Sequence, residues 1–106
     1  MKRGDVYLYP FSSPDKTRPV LILTREKAIS ALTKVTVAPI TSTRRGVPAE
    51  LMLDEADGMK GPCAVNLDNL ITVPKQHLGR WVTRLHEQRM DGICKALRFA
   101  LDCDCQ

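Results

Sequence analysis

The chain has little of several things that common enzyme classes need. Its 106 residues include two histidines and four cysteines, and no two cysteines form a C-x-x-C pair. Structural zinc sites draw on such pairs or on several histidines, so we expect no metal or other cofactor. The sequence also lacks a Walker loop, G-x-G-x-x-G, G-x-S-x-G and H-E-x-x-H. These absences exclude most familiar nucleotide-binding, hydrolase and zinc-protease classes.

Long apolar segments are missing as well. No apolar stretch approaches the length of a membrane span, and the N-terminal residues do not form the apolar segment of a secretory signal. We therefore expect a cytoplasmic protein with no membrane contact. The length fits one ordinary domain over residues 1–106, and the hydrophobic fraction of 43% allows a modest core.

Positive charge is concentrated in one part of the chain. The net charge is +4, while the segment from Asp15 to Arg45 alone carries +5. A basic field of this kind raises the local concentration of polyanions. A solvated basic face has the same composition, so charge alone does not decide between the two.

Short segments rich in apolar and β-branched residues alternate with turn-forming residues. An apolar run at 19–24 predicts a strand buried on both faces, and a short helix is expected at 26–32. Further strands are predicted at 6–9, 35–40, 48–53, around Ala64, at 70–73 and at 80–85. The order indicates a mainly β fold of the α+β class, with an antiparallel sheet partly closed into a small barrel.

The one long helix is expected at the C-terminus, at 87–101. Its apolar residues recur at spacings of three and four and form a stripe that faces either the core or a dimer partner; they are Met90, Ile93, Cys94, Leu97 and Leu101. Gly92 lies inside this helix at a cost of up to about 1 kcal/mol relative to alanine. It indicates either close packing or a kink.

Two groups of titratable residues invite a catalytic interpretation. Asp54, Glu55 and Asp57 precede Gly58 and are typical of a surface turn, although clustered carboxylates also bind catalytic metals. His77 and His86 could act as an acid–base pair, since histidine titrates near neutrality. Their neighbourhoods favour surface or helix-capping roles.

Arg18 and the turn from Thr41 to Arg45 are the stronger candidates, because both lie at the ends of predicted strands. A guanidinium binds phosphate through two N–H groups, and neighbouring hydroxyls donate further hydrogen bonds. This equipment stabilises charge on a pentacoordinate phosphorus. Solvated arginines and turn hydroxyls bonded to their own backbone are the common alternative.

Three segments carry a family resemblance. The residues R-G-D-V-Y at 3–7, T-R-P-V-L-I-L at 17–23 and V-A-P-I-T-S at 37–42 resemble the successive signatures of MazF/PemK toxins. The likeness continues through 61–70 and 78–101 and so covers nearly the whole chain. The family's loop between the first two strands is typically longer and glycine-rich, whereas residues 11–17 contain no glycine.

The resemblance implies a compact SH3-like β-barrel, similar to that of CcdB, with a C-terminal helix and paired as a homodimer. It implies a toxin of a toxin–antitoxin system that cleaves single-stranded RNA, commonly mRNA, at short sequences without metal. The 2′-hydroxyl is the attacking group, and Arg18 and Thr41 match the family's catalytic positions. A cognate antitoxin would block the RNA groove.

Other residues are assigned to RNA binding from their chemistry. Basic and hydroxyl side chains near Arg18 are expected to hold the RNA; they are Lys16, Thr17, Ser42, Arg44 and Arg45. Asn66 and Asn69 suit base edges, although an Asn/Asp cluster between strands also forms a turn. Two alternative functions stay open: a CcdB-like toxin that binds gyrase, and a non-catalytic SH3-like module that binds nucleic acid.

Overall fold

A computed structural model describes residues 1–12 and 17–103 of the chain. Seven strands follow one another as β1 Asp5–Pro10, β2 Thr17–Ile22, β3 Lys34–Thr41, β4 Glu50–Leu53, β5 Cys63–Asn66, β6 Ile71–Pro74 and β7 Trp81–Arg84. Helix α1, Glu26–Ile29, lies between β2 and β3, and helix α2, Glu87–Leu101, follows β7. Every predicted strand and both helices are confirmed, but α1 ends earlier than expected, β2 begins two residues earlier and β4 begins two residues later.

All strand pairs are antiparallel, in the order β4-β5-β3-β2-β1-β7, with β6 also paired to β3. Strand β3 pairs with β2 along one edge and with β6 and then β5 along the other. The sheet curls into a half-barrel. The expected mainly β architecture with a C-terminal helix is therefore confirmed.

Strand β2 has an apolar core on each of its faces. Leu21 belongs to one cluster, together with Ile93 of α2, while Val20 and Ile22 belong to a second cluster with Ile29 of α1. Successive side chains of a strand point to opposite faces, so a continuous apolar run suits a strand covered on both sides. The prediction that this strand is buried on both faces is confirmed.

Helix α2 packs through a face that differs slightly from the predicted stripe. Ile93 and Ala96 are buried, and Met90, Leu97 and Ala100 pack against the same cluster. Leu101 is 54% exposed, so it does not belong to the part of the stripe that faces the core of this chain, and its place in a dimer interface stays a prediction. Residues at spacings of three, four and seven share a helix face, and after Ile93 that face reaches Ala96, Leu97 and Ala100.

The absence of a side chain at Gly92 allows close packing between α2 and β4. A Cβ added there would lie 2.9 Å from Cδ1 of Leu51 in β4, closer than carbon atoms normally approach. The missing side chain therefore lets α2 lie directly on β4. Of the two explanations left open by the sequence, close packing is the one that the structure supports.

Three buried carboxylates are each paired with a partly exposed arginine. Asp5 accepts from Arg84, Glu50 from Arg45, and Asp57 from Arg89, with shortest N–O distances of 2.6, 3.0 and 2.8 Å. Burial by itself raises the pKa of each carboxyl, but the hydrogen bonds and positive charge of its partners outweigh this effect. The pKa of each is lowered below its ordinary value.

The acidic cluster before Gly58 is a structural turn. The Asp54 carboxylate accepts from the Ala56 N–H, and the Asp57 carboxylate accepts from the Asp54 N–H, which forms a capping box around a single 3₁₀ turn, Glu55–Asp57. Since Asp57 is also engaged by Arg89, its oxygens are already committed. In the described ranges, no group of three His, Cys, Asp or Glu residues is placed to hold a metal ion.

No helix in the described part of the chain is long and apolar enough to cross a membrane.

Candidate active site

A pocket of about 800 Å³ opens where β2 begins and β3 ends. Apolar side chains, among them Leu8, Pro19, Ile40 and Val82, contribute to its lining. Polar side chains also contribute, and they include Thr17, Arg18, Thr41, Ser42, Lys60 and Arg80. Four of these six polar residues were expected from the sequence to form the site.

Strand register explains why Arg18 and Thr41 meet. Strands β2 and β3 pair with Val20 opposite Pro39 and Leu21 opposite Ala38. Beyond this paired stretch, the end of β3 pairs with β5, with Thr41 opposite Ala64. The start of β2 and the end of β3 therefore lie at the same edge of the sheet, and Arg18 and Thr41 both line the pocket there.

Arg18 is fixed through its backbone and exposed through its side chain. It pairs with Tyr9 of β1, and the following Pro19 pairs with Leu8. Within residues 1–12 and 17–103, no carboxylate forms an ion pair with its guanidinium, whereas Arg45, Arg84 and Arg89 are all paired. Arg18 lines the pocket, and no carboxylate of the described residues occupies its donors.

Thr41 is the last residue of β3, and its hydroxyl is oriented by the turn that follows. The Thr43 N–H donates to Thr41 Oγ1 at 3.1 Å. A threonine hydroxyl has one hydrogen to donate and two lone pairs to accept with. The backbone N–H occupies one lone pair, so the hydroxyl keeps its hydrogen for donation, and Thr41 lines the pocket.

The turn after Thr41 is anchored by a buried carboxylate. Glu50 accepts from the Arg45 N–H at 2.9 Å, from Arg45 Nε at 3.0 Å and from the Gly46 N–H at 3.2 Å. Arg45 Nη2 also lies 3.7 Å from Asp68 Oδ2, and Arg45 is not among the residues that line the pocket. Its guanidinium thus has a structural role, and its contact with RNA stays a prediction.

The remaining basic and thiol groups differ in their access to the pocket. Arg44 is exposed, and Lys16 lies outside the described residues. Burial raises the pKa of the Cys63 thiol, the charge of Asp57 adds to this, and the nearby Arg44 opposes it. Cys63 lines the pocket but stays protonated near neutral pH, which makes it a poor nucleophile.

Two other groups of predicted candidates lie away from the pocket lining. Asn66 Oδ1 accepts from the Asp68 N–H, and the Asn66 carbonyl accepts from the Asn69 N–H, so this segment forms a turn. Whether these side chains also read bases stays a prediction. His77 and His86 are exposed, and neither is among the pocket-lining residues.

Lys60 and Arg80 are pocket residues that the sequence did not single out. Lys60 lies between the 3₁₀ turn and β5, and Arg80 directly precedes β7. Arg80 opens the segment predicted as a strand at 80–85, but neither residue belongs to a recognisable motif, and only the strand order brings them to Arg18. A cationic residue next to glycine in each connection, Lys60-Gly61 and Gly79-Arg80, was the sole local signal.

Comparisons with known proteins agree with this geometry. Residues 2–101 match the family model described as PemK-like, MazF-like toxin of type II toxin-antitoxin system. The chain is 44% identical over 90 residues to Endoribonuclease MazF3 of Mycobacterium tuberculosis, a match that covers 85% of this chain and 87% of the relative.

Solved structures give the same result. Mycobacterium tuberculosis toxin MazF-mt6 superposes with a TM-score of 0.85 at 40% identity, covering 95% of this chain and 99% of that one. A mycobacterial endoribonuclease in complex with its cognate antitoxin superposes with a TM-score of 0.89 at 27% identity, covering 100% and 99%. The chain belongs to the PemK-like, MazF-like toxins of type II toxin–antitoxin systems.

Proposed function

We propose that this toxin cleaves single-stranded RNA, with mRNA as the expected class, at the pocket that holds Arg18 and Thr41. The observation that carries the proposal is that Arg18, which has no ion-pair partner among the described residues, lines one pocket together with Thr41, Lys60 and Arg80. The family match and the relatives named endoribonucleases support it.

The reaction is a transfer within the RNA chain. The ribose 2′-oxygen attacks the adjacent phosphorus and loses its proton, and the bond from phosphorus to the 5′-oxygen breaks. The 5′-oxygen takes up a proton, which leaves a 2′,3′-cyclic phosphate and a 5′-hydroxyl. Negative charge on the non-bridging oxygens peaks in the transition state, where preorganised donors have the largest effect.

Arg18 and Thr41 have distinct tasks in this scheme. The Arg18 guanidinium donates two N–H groups to the non-bridging oxygens, and Thr41 donates its hydroxyl to the phosphate or to the attacking oxygen. Arginine keeps its proton at neutral pH, so Arg18 is not the general base. Among the described lining residues there is no carboxylate and no imidazole, which makes electrostatic stabilisation the contribution of this site.

The family match supports a proposal about the toxin's partners and its location in the cell. We propose that the toxin acts as a homodimer in the cytoplasm and that a cognate antitoxin neutralises it by covering the RNA site. A relative with the same fold is an endoribonuclease in complex with its cognate antitoxin. Ser42, Thr17 and Arg44 are proposed to hold the RNA beside the reacting phosphate.

The experiment is RNA cleavage in the presence of EDTA. The purified protein is incubated with a long RNA, the new 5′ ends are mapped, and the Arg18→Ala variant is treated in parallel. Fragments with 5′-hydroxyls at a recurrent short sequence, absent with the variant, are expected. Binding without fragments would indicate a non-catalytic RNA-binding module, and cleavage only after metal addition would contradict the mechanism.

A further inference from the structure

Arg80 approaches the pocket from the side opposite to Arg18. The Arg80 carbonyl accepts from the Leu8 N–H at 2.9 Å, and Leu8 pairs on its other side with Pro19. Three backbone segments therefore lie side by side with β1 in the middle. Neighbouring strands are about 4.8 Å apart, so the Arg80 backbone lies about 10 Å from β2.

Lys60 follows a segment whose backbone is fixed by core packing and hydrogen bonds. Met59, its neighbour, packs against the core, and the Met59 N–H donates to the Asp54 carbonyl at 3.4 Å. The preceding Asp57 is bound by Arg89. The base of Lys60 is thus fixed while its side chain is exposed in the pocket.

Lys60 and Arg80 give the pocket more positive charge than a single phosphate requires. In the ranges 1–12 and 17–103, neither Lys60 nor Arg80 forms an ion pair, and no carboxylate is among the pocket-lining residues. Together with Arg18 the pocket presents three positive charges. A single phosphodiester carries one negative charge, and Arg18 with Thr41 already supplies its hydrogen bonds.

We propose that Arg80 and Lys60 bind the phosphate next to the scissile one, so that the pocket takes two consecutive phosphodiesters of the RNA. This rests on the proposed RNA cleavage. The neighbouring phosphate does not gain charge during the reaction, so its contacts are equally strong in the ground and transition states. Such uniform binding lowers KM and leaves kcat unchanged. Arg80 and Lys60 are therefore positioning residues that set which bond lies at Arg18.

The test removes one phosphate charge at a time. Short RNAs that contain the mapped cleavage sequence carry a single neutral methylphosphonate at each phosphate flanking the scissile one. A 2′-deoxy sugar at the attacking position blocks cleavage, so that Kd can be measured. For the wild type, one flanking substitution should weaken binding about tenfold, the effect of losing a charged hydrogen-bonded contact.

The decisive result is the coupling between protein and RNA changes. In Arg80→Ala the same methylphosphonate should have a smaller effect on Kd, and in the double variant Arg80→Ala/Lys60→Ala it should have no further effect, whereas in Arg18→Ala it should retain its full effect. The slope of log Kd against log salt should fall by about 0.7 for each lost phosphate contact. Lys60→Ala provides an independent second variant, and Arg98→Ala, exposed on α2 away from the pocket, is the matched charge control.

Two outcomes would overturn the inference. In one, the methylphosphonate effects add to that of Arg80→Ala at every flanking position. In the other, Arg80→Ala lowers the single-turnover rate at saturating RNA as far as Arg18→Ala does. Failure of the proposed function is separate, because it would appear as intact RNA with the wild-type protein. The coupling would then be measured with methylphosphonates placed one at a time along an RNA that the protein is shown to bind.

Discussion

The Glu50→Gln substitution tests how the fold holds the turn of the active site. Glu50 has a fully buried side chain, and its two oxygens accept three hydrogen bonds from Arg45 and Gly46. A glutamine offers one acceptor oxygen. If that oxygen keeps the two backbone N–H groups of Arg45 and Gly46, its NH₂ group faces the Arg45 Nε–H, so at least one of the three donors loses its partner. Losing charged hydrogen bonds at a buried site costs about 2–3 kcal/mol.

Urea unfolding of the wild type and the variant at pH 7 measures this cost. With a denaturant dependence of about 1–3 kcal/mol per molar for a small domain, the midpoint should fall by roughly 1–2 M. Glu55→Gln removes the same charge from an exposed position and should leave the midpoint in place. A Glu50→Gln midpoint equal to that of Glu55→Gln would refute the assigned role.

The pH dependence supplies a second check on the same residue. The pKa of Glu50 is lowered in the folded protein, because the hydrogen bonds and charge of Arg45 outweigh the effect of burial. Its contribution is complete above the unfolded pKa, near 4.3, and is lost as the pH falls through the lower folded value. The stability difference between wild type and Glu50→Gln should shrink below about pH 4.3, and a constant difference down to pH 3 would contradict it.

Three further substitutions probe other parts of the molecule. Ile93→Ala removes a fully buried side chain of α2 and should lower the free energy of unfolding by about 3 kcal/mol, while Phe99→Ala, 61% exposed on the same helix, should change it little. Gly58→Ala places a Cβ against the Thr83 side chain at a backbone φ of +90°, and its cost of about 2–4 kcal/mol should appear as a lower thermal midpoint. Arg44→Ala should flatten the salt dependence of RNA binding, measured by titration at several salt concentrations, and an unchanged slope would place Arg44 away from the RNA backbone.

Local patterns in the sequence predicted most of the elements. The apolar run that contains Val20 to Ile22 indicated a strand covered on both faces, since alternate side chains meet separate apolar clusters. The C-terminal helix followed from its apolar spacing. The sequence pattern did not single out Ala96 and Ala100, which form part of the core-facing side of this helix, because it was built on large side chains.

The candidate site was predictable only in part. The family signatures pointed to Arg18 and Thr41, and the register of β2 and β3 accounts for their meeting. Lys60 and Arg80 could not be found in this way, because they come from connections whose neighbours depend on the strand order. Arg45 was expected to bind RNA, and its guanidinium is engaged by the buried Glu50, five residues later at the start of β4.

The single-turnover rate of RNA cleavage at saturating RNA tests the central claim most directly. Wild type, Arg18→Ala and Arg98→Ala are compared in EDTA on an RNA that contains the mapped cleavage sequence. If Arg18 stabilises the charge of the transition state, its removal should lower the rate about 10²–10³-fold, while Arg98→Ala should match the wild type. A rate for Arg18→Ala within a few-fold of the wild type would contradict the account.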